Sequence, residues 1–297
     1  MILNLGGCAM ASPGAKVWRL GDRIQIRPGL ILAHLVLLAG GVVFIFPFVW
    51  LVSTSVKPDV ELFGFPPSLI PTYFNWRNYT RMLDYLPFGL FLKNTLYVTV
   101  LNVVGTLISS SMVAYGFARL RFPGRDWLFA VVLATMMLPS QVTMIPVYLI
   151  FRNLQWIDTL KPLYVRSWFG IPFQIFLLRQ FMMTIPHELE DAAKLDGCGY
   201  AGIFLRIMVP LIKPALATCA VMRAMNSWND FVDPLIYINS VEKMTLSLGL
   251  KLFQSVSGTE WGMMMAASTL MVLPIIVLFF FCQQFFIQGI TVTGMKG

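Results

Sequence analysis

Charge is the scarcest commodity in this chain. Only 12% of its 297 residues are Asp, Glu, Lys or Arg, against 57% hydrophobic, whereas soluble domains carry roughly 25% charged residues. That shortage excludes an ordinary soluble globular protein. Cysteine is sparse too: Cys8, Cys198, Cys219 and Cys282 show no CxxC spacing, so neither a structural zinc site nor a disulfide framework is expected. No GxxxxGK[ST] phosphate loop is present, which excludes a nucleotide-hydrolysing P-loop in this chain. The apolar runs contain no Asp or Glu at mid-depth and no internal repeat, which argues against an ion-coupled secondary transporter. No His/Asp/Glu/Cys cluster recurs at one depth, so a membrane-embedded enzyme is not indicated, and His34, His187 and Met263–Met265 suggest no metal site.

What is present is a series of long apolar runs. Several approach the ~20 residues that a bilayer-spanning helix needs, and lipid demands that each run satisfy its own backbone, hence helices. The expected spans are Leu30–Val52, Leu90–Ala118, Leu128–Ile150, Leu163–Met183, Ile212–Trp228 and Met264–Ile287. Pro139 and Pro146 predict a kink or break in the third. Gly105, Ser109, Ser110 and Ala114 offer the second a small surface for close packing. The formal net charge of +8 belongs to span ends and not to nucleic acid. Lys16, Arg19, Arg23 and Arg27 precede the first span, and Arg119, Arg121 and Arg125 follow the second, which places both on the cytoplasmic side. The segment 53–88, whose charges cancel, and the acidic segment 229–261 then lie outside, and both termini lie in the cytoplasm. The expected organisation is a cytoplasmic segment 1–29, one all-α transmembrane domain 30–290, and a tail 291–297.

Between the fourth and fifth spans lies a polar insert, residues 184–214. Pro186 suits a first helical turn, and Glu188, Glu190 and Asp191 suit its positive end. Gly197 and Gly199 end the helix, and a second short amphipathic segment, Ala201–Met208, precedes Pro210 and Pro214. Ala192, Ala193 and Gly197 allow close approach of a partner, with Leu189 and Leu195 to fill a groove. On physical grounds alone, a helix lying on the membrane surface explains the pattern as well.

The insert resembles the EAA loop of permease subunits of ATP-binding-cassette (ABC) importers. Asp191-Ala192-Ala193 stands for EAA, Asp196-Gly197 follows at the family's spacing, and Ile207-Met208-Val209-Pro210 closes the motif. Asp191 replaces the usual Glu, Cys198 a usual Ala, and Val209 a commoner Leu. The resemblance extends from about Leu35 to Gly297: AYGFARLRFPGR at 114–125, MMLPSQVTMIP at 136–146, SWNDF at 227–231 and the GITVTGMKG tail are similar to the carbohydrate-uptake branch, notably the maltose-type G subunit and arabinooligosaccharide permeases. It implies a type I importer permease fold with six transmembrane helices in a bacterial or archaeal cytoplasmic membrane. It also implies a second permease subunit, an ATP-binding subunit dimer that holds ATP and magnesium, and an extracytoplasmic sugar-binding protein. This chain itself would bind no cofactor and would be non-catalytic. Glu190, Asp191, Ala192, Ala193, Asp196, Gly197, Ile207 and Pro210 are then the candidate ATPase-coupling residues, and Gly294 and Lys296 a candidate tail contact, with a frayed terminus as the plainer reading.

Arg223 lies inside the fifth span and departs from the family, which has an uncharged residue nearby. It either lines the translocation path, against sugar hydroxyls or an anionic group, or forms a structural pair. Asn226, Trp228 and Asn229 extend that candidate path. Trp228 would stack on a sugar or sit in the interface belt. A sugar phosphate such as glycerol-3-phosphate is the alternative cargo.

Overall fold

The computed structural model describes residues 28–255 and 258–294, with side chains described for 31–254 and 258–283. The chain falls into two units, Met1–Phe48 and Val49–Gly297. In the first, the described residues are the early turns of helix α1 (Pro28–Ser55), where Leu32, Leu37, Val43 and Phe44 are all exposed. A helix apolar all round is one made for lipid or for other helices.

The second unit is built on α3 (Phe88–Arg119), which follows the short amphipathic α2 (Arg77–Tyr85). The third expected span is broken. Helix α4 (Arg125–Ala134) and a 3-10 turn stop at Leu138, and α5 (Ser140–Asn153) departs at 99°. Pro139 causes the break, since it cannot donate to the preceding turn; Pro146 is carried inside α5. The fourth expected span is also divided: α6 (Lys161–Val165), a 3-10 turn (Arg166–Phe169), and α7 (Pro172–Met183) are separated at Gly170, whose φ of +86° suits glycine. The polar insert supplies α8 (Glu188–Leu195), α9 (Tyr200–Ile203), a π-helical turn (Phe204–Met208) and α10 (Val209–Leu211). Helix α11 (Lys213–Trp228) leaves at 77°. Helices α12 (Val232–Tyr237) and α13 (Leu246–Gly249), with a two-residue hairpin pairing, lead to α14 (Trp261–Gly294).

Among the described residues, three helices are long and apolar enough to cross a membrane unbroken, and the number rises to five if each bent pair is one span. The break expected in the third span is present, and the fourth expected span is not a single membrane-length helix. Helix α7 has 12 residues, about 18 Å at 1.5 Å per residue, short of a ~30 Å hydrocarbon core.

Helix α3 is the hub and packs against α7, α11 and the 3-10 turn. The small-residue surface expected on it is used: a Cβ added to Gly105 would sit 2.6 Å from the Trp168 indole nitrogen. In segment 53–88, Lys57 is not a surface charge. It is buried, lies 4.3 Å over the Trp50 ring, and donates to the Ser68 carbonyl at 2.5 Å. In the α5–α6 turn, Asp158 (φ +57°) ties two segments together. Its carboxylate accepts the Asn239 and Ser240 amides at 3.0 and 2.9 Å, the Ser240 hydroxyl at 2.5 Å and the Lys243 ammonium at 3.0 Å. These bonds, those from Ser240 first, hold the carboxyl well below the usual range.

Candidate functional site

The polar insert is held by one buried cation. Arg119, the last residue of α3, has a fully buried side chain whose Nε lies 3.0 Å from Glu190 Oε1. That N–H points off the line to the carboxylate, so the contact is an ion pair and not a directed hydrogen bond. The directed bonds go elsewhere: Nη2 donates to the Met182 and Ile185 carbonyls at 2.5 and 2.6 Å, and Nη1 to His187 Nδ1 at 2.9 Å. The guanidinium therefore caps the end of α7 and pulls the start of α8 against the end of α3. Cations at a helix C-terminus are favourable, and the planar donor fork suits several acceptors at once.

Below this socket, Ala193, Ile203, Met208 and Ile212 are buried with Tyr115, Leu178 and Met182 in one core. The helix ends in a complete Schellman motif: the Gly197 amide donates to the Lys194 carbonyl at 3.0 Å and the Cys198 amide to that of Ala193 at 2.9 Å, with Gly197 at φ +80°. This explains the Asp196-Gly197 spacing. Glycine stands at the position whose left-handed conformation a side chain would strain.

The candidate coupling residues therefore divide between two faces. Asp191, Ala192, Asp196, Gly197 and Pro210 are exposed, and Ile207 is half-buried. Leu189, Leu195, Tyr200 and Leu205 lie exposed on the same insert, Leu195 at 90%. Asp191 pairs with Lys194 at 2.9 Å, and this bond lowers the Asp191 carboxyl and raises the Lys194 ammonium. Glu190 is the correction: it is 3% exposed and points inward to Arg119, as Ala193 points inward to the core, so neither presents itself to a partner. Arg119 and His187 carry no coupling role in the sequence reading, where Arg119 counts only as a topological charge. The signal was available: Glu190 shares a helix face with Ala193, three residues on, and an acid on a buried face demands a buried cation.

The candidate path residues lie toward the other end of α11. Arg223 Nη2 donates to Asn102 Oδ1 at 2.5 Å and Ser167 Oγ at 2.7 Å. Ser167 also donates to Asn102 Oδ1, and Asn102 Nδ2 donates to the Leu163 carbonyl at 3.0 Å and Ser227 Oγ at 2.9 Å. Arg223 thus sits in a polar knot that joins α3, α6, the 3-10 turn and α11. Trp228 is 4% exposed, packs with Leu246, Phe253 and Met263, and donates to the Met271 carbonyl at 3.1 Å. Its indole is buried rather than set at the membrane interface, with its N–H spent on the Met271 carbonyl of α14. Asn226 and Asn229 are exposed, and Asn229 caps α11 through the Met225 carbonyl at 2.9 Å. In the tail, Gly294 ends α14, while Lys296 lies outside the described residues.

A buried cation thus fixes a short helix with an exposed apolar ridge between broken membrane helices, and the family match shows the class to be that of membrane-embedded transport subunits. The profile of the family described as binding-protein-dependent transport system inner membrane component matches residues 105–292. The chain belongs to that family and is an ABC transporter permease, as the EAA-like insert implied. It is 37% identical over 258 residues to the arabinooligosaccharides transport system permease protein AraQ of Bacillus subtilis, covering 86% of this chain and 91% of the relative. It is 33% identical to the diacetylchitobiose uptake system permease protein DasC of Streptomyces coelicolor, covering 85% and 92%. To the sn-glycerol-3-phosphate transport system permease protein UgpE of Yersinia pestis it is 32% identical, covering 90% and 98%. The fold is that of a chain from a bacterial ABC transporter involved in import of the acidic polysaccharide alginate, with a TM-score of 0.77 at 24% identity over 88% of this chain and 97% of that one.

Proposed function

We propose that this chain is one of two permease subunits of an ATP-driven sugar importer, and that it takes its drive from an ATPase through the exposed ridge of the polar insert. The single observation that carries the coupling role is the Arg119 socket. It fixes α8 to α3 and α7 on one face and leaves Leu189, Asp191, Leu195 and Leu205 outward on the other. A helix held so firmly transmits displacement as a rigid lever, and switching then requires a membrane core with two arrangements that the partner contacts bias differently. In this reading the insert and both termini are cytoplasmic. ATP and magnesium are held by the partner ATPase dimer, and this chain performs no chemistry. A solute-binding protein delivers sugar at the opposite face, where the second permease subunit completes the path. Oligosaccharide relatives such as AraQ and DasC support a sugar cargo. Arg223 spends its Nη2 on Asn102 and Ser167 within the chain, which supports a structural role for it.

The test is co-purification of the chain with co-expressed candidate subunits, followed by ATPase assay. Leu195→Asp and Asp191→Lys are each expected to lower recovered ATPase at least several-fold, with the chain's own yield and elution unchanged; Gly197→Pro, which loses the amide and the positive φ of the helix stop, should lower it by disordering the insert itself. Loaded binding protein should stimulate the wild-type assembly with an oligosaccharide and not with glycerol-3-phosphate. A chain that recruits no ATPase and moves solute in liposomes without ATP would refute the proposal.

A further inference from the structure

At the end of α3 remote from Arg119, three lysines line one cavity of about 460 Å³. Lys93 and Tyr97 come from α3, Thr159, Lys161 and Tyr164 from the α5–α6 turn and α6, and Lys243 from the segment beyond α12. Lys243 is partnered by Asp158 at 3.0 Å. Among the described residues, Lys93 and Lys161 have no carboxylate within 4.0 Å; Lys161 lies 5.6 Å over the Trp156 ring. No Asp or Glu lines the cavity, and Tyr97 and Tyr164 meet edge to face at 6.0 Å within it. Two uncompensated ammonium groups beside tyrosines at a span end are suited to an anion held at the membrane interface.

Beyond the cavity, the same side of α3 carries apolar residues. Lys93, Tyr97, Val100, Val104, Ile108 and Met112 recur at four- and three-residue steps, so they lie along one side of the helix, and all are exposed. Val100 and Val104 also border a second cavity of about 440 Å³ between α3, α11 and α14, lined by Leu96, Ala220, Pro274 and Leu278 and almost wholly apolar. A cationic pocket and an apolar trough that border successive turns of one helix suit the two ends of one amphipathic ligand with a negative head.

We propose that this face holds an anionic phospholipid, its phosphate against Lys93 and Lys161 and one acyl chain in the α3–α11–α14 trough. Charge selects the head, and the trough selects a ligand that carries a chain over a free anion. The site is independent of which sugar the importer carries.

The experiment is native mass spectrometry of the full chain, with any subunits it brings, released from nanodiscs of mixed phosphatidylglycerol and phosphatidylcholine. Wild type should retain phosphatidylglycerol several-fold above its bulk share. Lys93→Gln with Lys161→Gln should return the ratio to bulk, and Lys93→Arg with Lys161→Arg should preserve it. Val100→Trp, which fills the trough, should lower retention without loss of assembly. Bulk composition in wild type, or enrichment unchanged in the glutamine pair, overturns the proposal. Inorganic phosphate binding to delipidated protein with the same lysine dependence, and no lipid enrichment, would make the pocket a soluble-anion site. Loss of a partner subunit in Val100→Trp at unchanged lipid ratio would assign the trough to protein.

Discussion

The Arg119–Glu190 socket makes a quantitative claim. Arg119 is fully buried and Glu190 nearly so, so removing one partner leaves an uncompensated charge away from water. Breaking such a pair costs about 3–5 kcal/mol, whereas replacing both partners with apolar residues is often neutral. Arg119 has further duties, since its Nη2 also serves the Met182 and Ile185 carbonyls. Losing those bonds costs about 1 kcal/mol each where water can enter. Arg119→Met should therefore cost the most. Glu190→Leu should cost about 2–4 kcal/mol, because the guanidinium keeps both carbonyls and His187. The double variant should be no worse than Arg119→Met alone, a coupling of at least ~2 kcal/mol. The assay is amide hydrogen exchange over residues 186–212 in nanodiscs, which reads local opening. At ~1.4 kcal/mol per tenfold, a 3 kcal/mol loss speeds exchange on the order of a hundredfold. Additivity within ~0.5 kcal/mol, or single variants that leave protection unchanged, would refute the socket.

Two other outcomes follow from particular contacts. Gly105→Leu should destabilise the α3 packing by about 1–3 kcal/mol, since its side chain must displace the Trp168 ring; Trp168→Ala in the same chain should recover part of the loss in a thermal melt, and no recovery would discount the contact. Asp158 titrates with a folded value below its ordinary one, so its bonds to Ser240, Lys243 and Asn239 add stability that is fully present above the unfolded carboxyl value, roughly 3.9, and is lost as pH falls through and below that point. The melting temperature of wild type should therefore hold level from neutral pH to about 5 and fall below ~4, while Asp158→Ala is lower throughout and loses that portion of the pH dependence; parallel curves would count against the assignment.

The sequence by itself determined the class of this protein and the place of its polar insert. Apolar runs at 12% charge admit only membrane helices, because unsatisfied backbone is too costly in lipid. The helix stop at Asp196-Gly197 was legible because only glycine enters that left-handed turn without strain. Pro139 likewise marked the break between α4 and α5. What local pattern did not carry was direction. Glu190 and Asp191 are neighbours of like charge in the sequence, yet one faces Arg119 from 71 residues away along the chain and the other faces solvent. Trp228 looks like an interface residue and is buried by a helix that arrives from 43 residues further along the chain. Continuity of a span was equally hidden, since Gly170 reads as an ordinary small residue until the packed 3-10 turn before it holds φ positive. Composition and spacing fix which segments enter the membrane and where helices stop. Which face of each is spent on the core depends on contacts between residues far apart in sequence, and only the tertiary structure decides those.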